Sequence, residues 1–243
     1  MSALTECPLG AQSYSFRQFD FEGSIRCLEE LGLTVMEYCA VHFPPDASQE
    51  GFATIKARLA AEGVTVPCFG VEGFTEDAAA NRAKFEFAKA LGVQVLSGDP
   101  TPESFDNLDA LTEEYGIRIA IHNHGPGARY DKVNDTLDAI RGHRRAIGAC
   151  LDTGHALRSN EAPHEVIQQL GPRVISVHLK DWKIGGDEQI IGEGDMDLVA
   201  VARALEAVQF TGPIVFEYEE SPDNPVPDMA TGLANWRQAC QEA

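Results

Sequence analysis

The chain has 243 residues, of which 44% are hydrophobic and 23% charged, with 19 Lys and Arg against 38 Asp and Glu. That composition belongs to a globular domain near the upper size for one core, and it excludes a disordered, collagen-like or coiled-coil chain. A net charge of −19 repels a phosphate backbone and an anionic bilayer alike, so no nucleic acid and no membrane is expected as partner. No apolar run approaches the ~20 residues of a spanning helix, and the opening MSALTECPLG lacks the pattern of a secretory leader. Six scattered cysteines without a C-x-x-C read as thiols of a reducing compartment, and a cytoplasmic location is the expectation.

Short β-rich runs alternate with helical spacing along the chain. The first run begins near Leu9 (LGAQSYS), and FEGSIRCLEELG then puts Ile25, Leu28 and Leu31 on one helical face before Gly32. Runs near Thr34 (TVMEYC) and Val64 (VTVPCFG) follow. NRAKFEFAKALG repeats the helical device with Phe85, Ala88 and Leu91 ahead of the run at Gly92 (GVQVLSG). A fifth run starts near Ile117 (IRIAIHNH), and the short helical stretch DTLDAIRGH leads to the sixth near Ile147 (IGACLDTGH). HEVIQQLGP, stopped by Gly171 and Pro172, precedes the seventh near Val174 (VISVHLKD), and the eighth begins at Pro213 (PIVFEYEE). Most runs are apolar on successive residues, as parallel strands covered on both faces are. Eight strand–helix units, with no linker, predict an α/β fold: a single (β/α)8 TIM barrel over residues 1–243. An open doubly wound sheet is less apt, because GAQSYSF is no glycine-rich phosphate loop.

Active sites of such barrels lie at the C-terminal ends of the strands, and the ionisable residues collect there. The fifth run ends in His122-Asn123-His124, the sixth in Asp152-Thr153-Gly154-His155, the seventh in His178-Leu179-Lys180-Asp181 and the eighth at Glu217. A charge after a buried stretch is costly unless paired or metal-bound. His122, Asp152, His178 and Glu217 form a mixed nitrogen and oxygen set suited to one divalent ion such as manganese, zinc, cobalt or iron rather than calcium. Each alone has a structural alternative; four from adjacent strands point to a shell.

These motifs carry a resemblance. LDTGHA, SVHLKD, IIGEGDMDL and IVFEYEE, in this order and spacing, resemble the xylose-isomerase-like barrels grouped as sugar (phosphate) isomerases and epimerases, over essentially the whole chain. The resemblance implies one divalent metal, manganese foremost with zinc, cobalt, iron or magnesium as alternatives, and implies Asp152, His178 and Glu217 as ligands. The fifth strand departs from the family: His122 stands where a Glu commonly precedes Asn-His. A symmetrical two-carboxylate epimerisation is thereby put in doubt, and His124 is the substitute ligand if His122 faces away.

A metal chelating a carbonyl and its neighbouring hydroxyl stabilises the enediolate left when an α-proton departs. Glu217 is the expected base, His124 or His155 a second one. Lys180 is either an oxyanion-holding group or an ion-pair partner of Asp181 or Glu217. His155 is either a substrate contact or a turn-stabilising hydrogen bond. Glu37 and Glu72, ending the second and third strands, are either substrate contacts or salt-bridge members. Trp182, opening the longest insertion, is either part of a lid over a sugar ring or mere loop, with Asp195 or Asp197 capping the next helix. Few basic residues are expected at the mouth, which disfavours phosphorylated substrates. The leading expectation is a metal-dependent isomerase or epimerase removing a proton next to the carbonyl of a small unphosphorylated sugar or keto-polyol. The alternative is a lyase or dehydratase expelling a β-leaving group from a keto-sugar, keto-glycoside or inosose; one base suffices there, whereas inversion wants two. A binding module without turnover is the third reading. A homo-oligomer is left open.

Overall fold

The computed structural model describes residues 3–243. Eight parallel strands stand in the order β2-β1-β10-β7-β6-β5-β4-β3: β1 (Leu9–Gln12), β2 (Val35–Glu37), β3 (Cys68–Phe74), β4 (Val95–Pro100), β5 (Arg118–His122), β6 (Ile147–Asp152), β7 (Val174–Leu179) and β10 (Ile214–Phe216). The two ends of this order meet through single parallel bridges, Val35 to Thr65 and Tyr38 to Phe69, which close the barrel. A small antiparallel hairpin, β8 (Asp181–Trp182) with β9 (Glu188–Gln189), follows β7.

The helices are α1 (Phe21–Glu30), α2 (Phe52–Ala61), α3 (Ala78–Leu91), α4 (Phe105–Tyr115), α5 (Val133–Ala139), α6 (Thr153–Arg158), α7 (Pro163–Leu170), α8 (Leu198–Ala207) and α9 (Val226–Glu242), of which the short α6 is buried at the mouth. Their starts follow capping chemistry. The Asp20 carboxylate accepts from the Gly23 N–H at 2.7 Å, and Asp197 accepts from the Ala200 N–H at 2.9 Å, so of the two loop aspartates it is Asp197 that caps α8. Gly92 ends α3 at φ 92°, the left-handed conformation that a residue without Cβ adopts at least cost.

The third strand starts later than the sequence pattern suggests. Pro67 lacks an N–H and interrupts the run; Thr65 bonds to the second strand's neighbourhood, while the Pro67 carbonyl accepts from Gln94 and Val95. Register between β3 and β4 then shifts between Phe69 and Glu72, a bulge that re-aims the residues beyond it.

Packing divides in two. A large apolar cluster fills the space between strands and helices, and a second joins Cys68, Val95, Ala120, Cys150 and Ile175, one from each of five neighbouring strands. Ala120 and Cys150 stand two residues before His122 and Asp152, on the same strand faces. The barrel interior therefore has an apolar floor beneath a polar layer. All six cysteines are free thiols, and among the described residues no helix is long and apolar enough to cross a membrane.

Strands approach closely where side chains are missing. A Cβ on Gly148 would lie 2.3 Å from the Arg173 carbonyl oxygen and 2.9 Å from Ile175 Cδ1. Gly148→Ala is therefore expected to lower stability by about 1–3 kcal/mol through overpacking, read as a reduced denaturation midpoint with the fold retained.

Candidate active site

β6 ends at Asp152 and α6 starts at the next residue, with the Asp152 carboxylate accepting from the His155 N–H at 2.7 Å. The Asn123 side chain ties strand ends together, donating to the Asp152 carbonyl at 2.9 Å and accepting from its N–H at 2.8 Å. Thr153 does the same across to β7: its hydroxyl accepts from the Lys180 N–H at 2.9 Å and donates to the Lys180 carbonyl at 2.6 Å.

These clamps bring His122, Asp152, His178 and Glu217 together, each offering one ligating atom within 4.8 Å of the others, all four buried. His122 Nδ1 and Nε2 and Asp152 Oδ2 have no hydrogen-bond partner. Buried polar atoms are rarely left so. A mixed set of imidazole nitrogens and carboxylate oxygens with such orphans fits a divalent transition metal. His178 Nδ1 lies 2.8 Å from Glu217 Oε2, and its Nε2 lies 3.0 Å from Glu37 Oε2. Glu37 in turn accepts from the Ser97 hydroxyl at 2.5 Å. Burial opposes a charge on His178, but the Cys150 thiol and the Glu37 and Glu217 carboxylates outweigh it and raise its pKa well above the ordinary range.

Lys180 is 1% exposed, with its ammonium 2.5 Å from Glu219 Oε1, 3.4 Å from Glu217 Oε1 and 3.8 Å from Asp152 Oδ2. Burial works against its charge; Glu217, Asp152, Glu188 and Glu219 override that and push its pKa up. The converse holds for its partners. Burial would raise Asp152 and Glu217, but the neighbouring cationic groups, Lys180 prominent among them, hold both carboxyls well below the usual range. Of the two ion-pair partners expected for Lys180, the structure gives Glu217. Asp181 instead accepts from the backbone N–H groups of Trp182, Gly192, Gly194 and Met196 at 2.8–3.1 Å, pinning both ends of the loop that carries the β8–β9 hairpin.

Above this layer opens a cavity of about 650 Å³. His122, His124, His155 and Glu217 line it, and so does Trp182, from β8. His124 follows the end of β5, with its ring 4.5 Å from that of His155, and it is His122 rather than His124 that joins the cluster. His155 sits on α6, not in a loop, and its Nδ1 accepts from Arg158 at 2.8 Å. A guanidinium only donates, so His155 carries its proton on Nε2. Burial lowers His155 to about 4, and burial lowers His124 as well.

Two residues take the ion-pair alternative rather than substrate contact. Glu37 is fully buried behind His178 and does not line the cavity. Glu72 lies beyond the β3 bulge, which turns it to Lys84 on α3 at 3.0 Å and away from the cavity. Several cavity residues escaped the sequence reading. Glu188 arrives on the hairpin, accepts from the Glu219 N–H at 3.0 Å, and is raised by burial to about 8. Arg17, Arg158 and Glu219 also line the cavity, so the mouth is richer in cations than the sequence suggested. An i, i+3 pairing of His155 with Arg158 was readable had a helix been placed directly after Asp152.

The family model for the xylose isomerase-like TIM barrel matches residues 25–240. The chain belongs to that family. Among curated relatives, the 3-oxo-isoapionate decarboxylase of Pectobacterium atrosepticum is 34% identical over 80 residues, 33% of this chain and 28% of that protein. The inosose dehydratase of Lactiplantibacillus plantarum is 26% identical over 148 residues, 53% of this chain and 49% of that protein. The matched regions span less than half the length of these relatives. A structure of the IolI protein with a bound zinc atom superimposes with TM-score 0.79 at 16% identity, covering 97% of this chain and 98% of that one. An L-ribulose 3-epimerase structure does so with TM-score 0.75 at 15% identity, covering 97% and 95%. At these identities the likeness shows the fold. The family contains sugar-modifying enzymes, epimerases and dehydratases among them.

Adding manganese or zinc is expected to raise the melting midpoint, by the equivalent of about 2.7 kcal/mol when free metal exceeds its Kd 100-fold. Because the His122 ring nitrogens make no hydrogen bond and approach only Asp152 Oδ2, at 3.7 Å, His122→Ala should abolish that response while the metal-free protein still folds; an undiminished response would move the ligand elsewhere. Asp181→Ala strands four backbone donors and should cost more than about 2 kcal/mol, with residues 183–196 becoming the first site of proteolysis.

Proposed function

We propose that this protein is a divalent-metal-dependent enzyme that removes a proton next to the carbonyl of a small polyhydroxy substrate and then expels a β-leaving group. The observation that carries this reading is the buried His122–Asp152–His178–Glu217 cluster with its orphaned atoms, opening through His122 and Glu217 on a cavity of about 650 Å³. A divalent ion held by these four residues would supply Lewis acidity toward a carbonyl and an adjacent hydroxyl. The donor set favours manganese or zinc over magnesium, which prefers an all-oxygen shell.

The protein's own groups divide the remaining work. Glu217 is kept ionised by Lys180 and His178 and is the base. The Lys180 ammonium, buried beneath the cavity wall, holds Glu217 and Asp152 in their ionised forms and so acts through them. His155, with its proton on Nε2, donates a hydrogen bond to substrate and is not a base. Glu37 positions His178 by bonding its far nitrogen, a partner that fixes ring orientation.

Elimination is preferred to isomerisation or epimerisation for two reasons. The fifth strand supplies His122 where a second carboxylate base would stand, and a ligating imidazole nitrogen cannot also take a proton. Glu188, held neutral near pH 7 by burial, supplies an acid for a departing oxygen. The sequence similarity to an inosose dehydratase supports the same direction.

Glu217→Gln should lower turnover of a keto-sugar or inosose by about 100-fold or more, with metal content measured in parallel. Product analysis in heavy water separates the outcomes: an unsaturated carbonyl product supports elimination, whereas an isomer or epimer bearing deuterium next to the carbonyl establishes the alternative. Ligand binding without turnover in the metal-loaded protein would sink both.

A further inference from the structure

Of the cations around the cavity, Arg158 has the fewest protein acceptors among the described residues. Lys180 is divided among three carboxylates, and Arg17 donates to the Tyr14 and Glu219 carbonyls. Arg129, at the neighbouring loop, is paired with Asp99 at 2.8 Å. Arg158 lines the cavity and donates to His155 alone, with no carboxylate partner among the described residues.

Its guanidinium is nonetheless fixed. The group lies over the Trp182 ring, 4.9 Å from the centroid, a favourable cation–π contact. Next to it runs the Gly125 backbone, where a Cβ would lie 3.5 Å from Arg158 Cζ. The bond to His155 fixes a third direction. A rigid planar fork with free donors, facing a cavity, is what recognises a planar anion bidentately. One imidazole separates it from the cluster: the His155 ring, which accepts from Arg158, stands 5.8 Å from the His122 ring. A molecule of sugar size spans from one to the other.

We propose that Arg158 is a carboxylate-recognition residue, so that the substrate is a polyhydroxy acid whose carboxylate lies on Arg158 while its hydroxy-carbonyl end reaches the His122–Asp152–His178–Glu217 cluster. The orientation of the substrate rests on the proposed function; the carboxylate site itself does not. A carboxylate suits the surroundings better than a phosphate. Glu217, Glu219 and Glu220 also line the cavity and repel a dianion more than a monoanion.

The test is calorimetric titration with D-glucuronate and D-glucose, which differ in a carboxylate, first on chelator-stripped protein and then after loading with manganese. The stripped wild type should bind glucuronate about tenfold more tightly than glucose, or better, the range of a charge-assisted bidentate contact. Arg158→Gln, whose amide N–H can still donate to His155, should bring that ratio close to one by weakening glucuronate far more than glucose, and Arg158→Lys should restore part of it. An undiminished ratio in Arg158→Gln, an equal loss for both sugars, or absence of glucuronate binding to wild type would overturn the proposal. Tighter, Arg158-dependent binding of D-glucose 6-phosphate would overturn the choice of carboxylate. A ratio that persists in stripped protein, with no metal-dependent turnover in loaded protein, strikes the proposed function and leaves this site standing.

Discussion

A single buried ammonium organises the mouth of this barrel. Lys180 is almost wholly removed from water, and such a charge survives only where opposite charge surrounds it closely. The carboxylates that do so come from the ends of β6 and β10, so one side chain draws three strand ends to a common point. Its aliphatic stem sets a further demand: a Cβ on Gly154 would meet Lys180 Cγ at 2.6 Å. The glycine of DTGH is thus explained by the lysine of VHLKD. The next residue repeats the logic, because a Cβ on Gly194 would lie 2.2 Å from Asp181 Oδ1. Motifs far apart in the chain are two halves of the same contacts.

The chain's overall acidity gives little idea of this interior. At the surface the charges are solvated and screened; at the mouth they alternate at hydrogen-bonding distance. His178 lies between two carboxylates, Lys180 among three, and the imidazoles of His124 and His155 stay neutral beside them. The local pattern, more than the total of −19, decides which anions the cavity admits.

Most of the fold was legible because parallel strands buried on both faces and amphipathic helices write strong, regular patterns. The ends of strands five to eight were legible for a related reason: a charged residue closing an apolar run stands out. Legibility failed where geometry broke the period. Strand alternation cannot foresee the bulge after Phe69, which takes Glu72 to Lys84. It also cannot separate a residue that faces the cavity from one like Glu37, packed against the buried His178. Glu188 lies on a strand of two residues, too short to carry any pattern. Arg158 does not stand out because the strand-to-helix junction at Asp152 leaves no connecting residue, and a helix of six residues carries little periodicity.

The hairpin beyond Asp181 has a consequence of another kind. Both ends of the excursion, Trp182 on the way out and Gly192 to Met196 on the return, are fastened to one carboxylate. Chain between those points meets the rest of the barrel through Glu188, which accepts from the Glu219 N–H, and through Ile191, whose carbonyl accepts from Asn235. That same stretch delivers Trp182 and Glu188 to the cavity wall. The wall and the reactive floor are therefore joined through one side chain: a different hairpin between the same anchor points would re-shape what enters, and by replacing Glu188 it would also remove one of the carboxylates that hold the charge on Lys180.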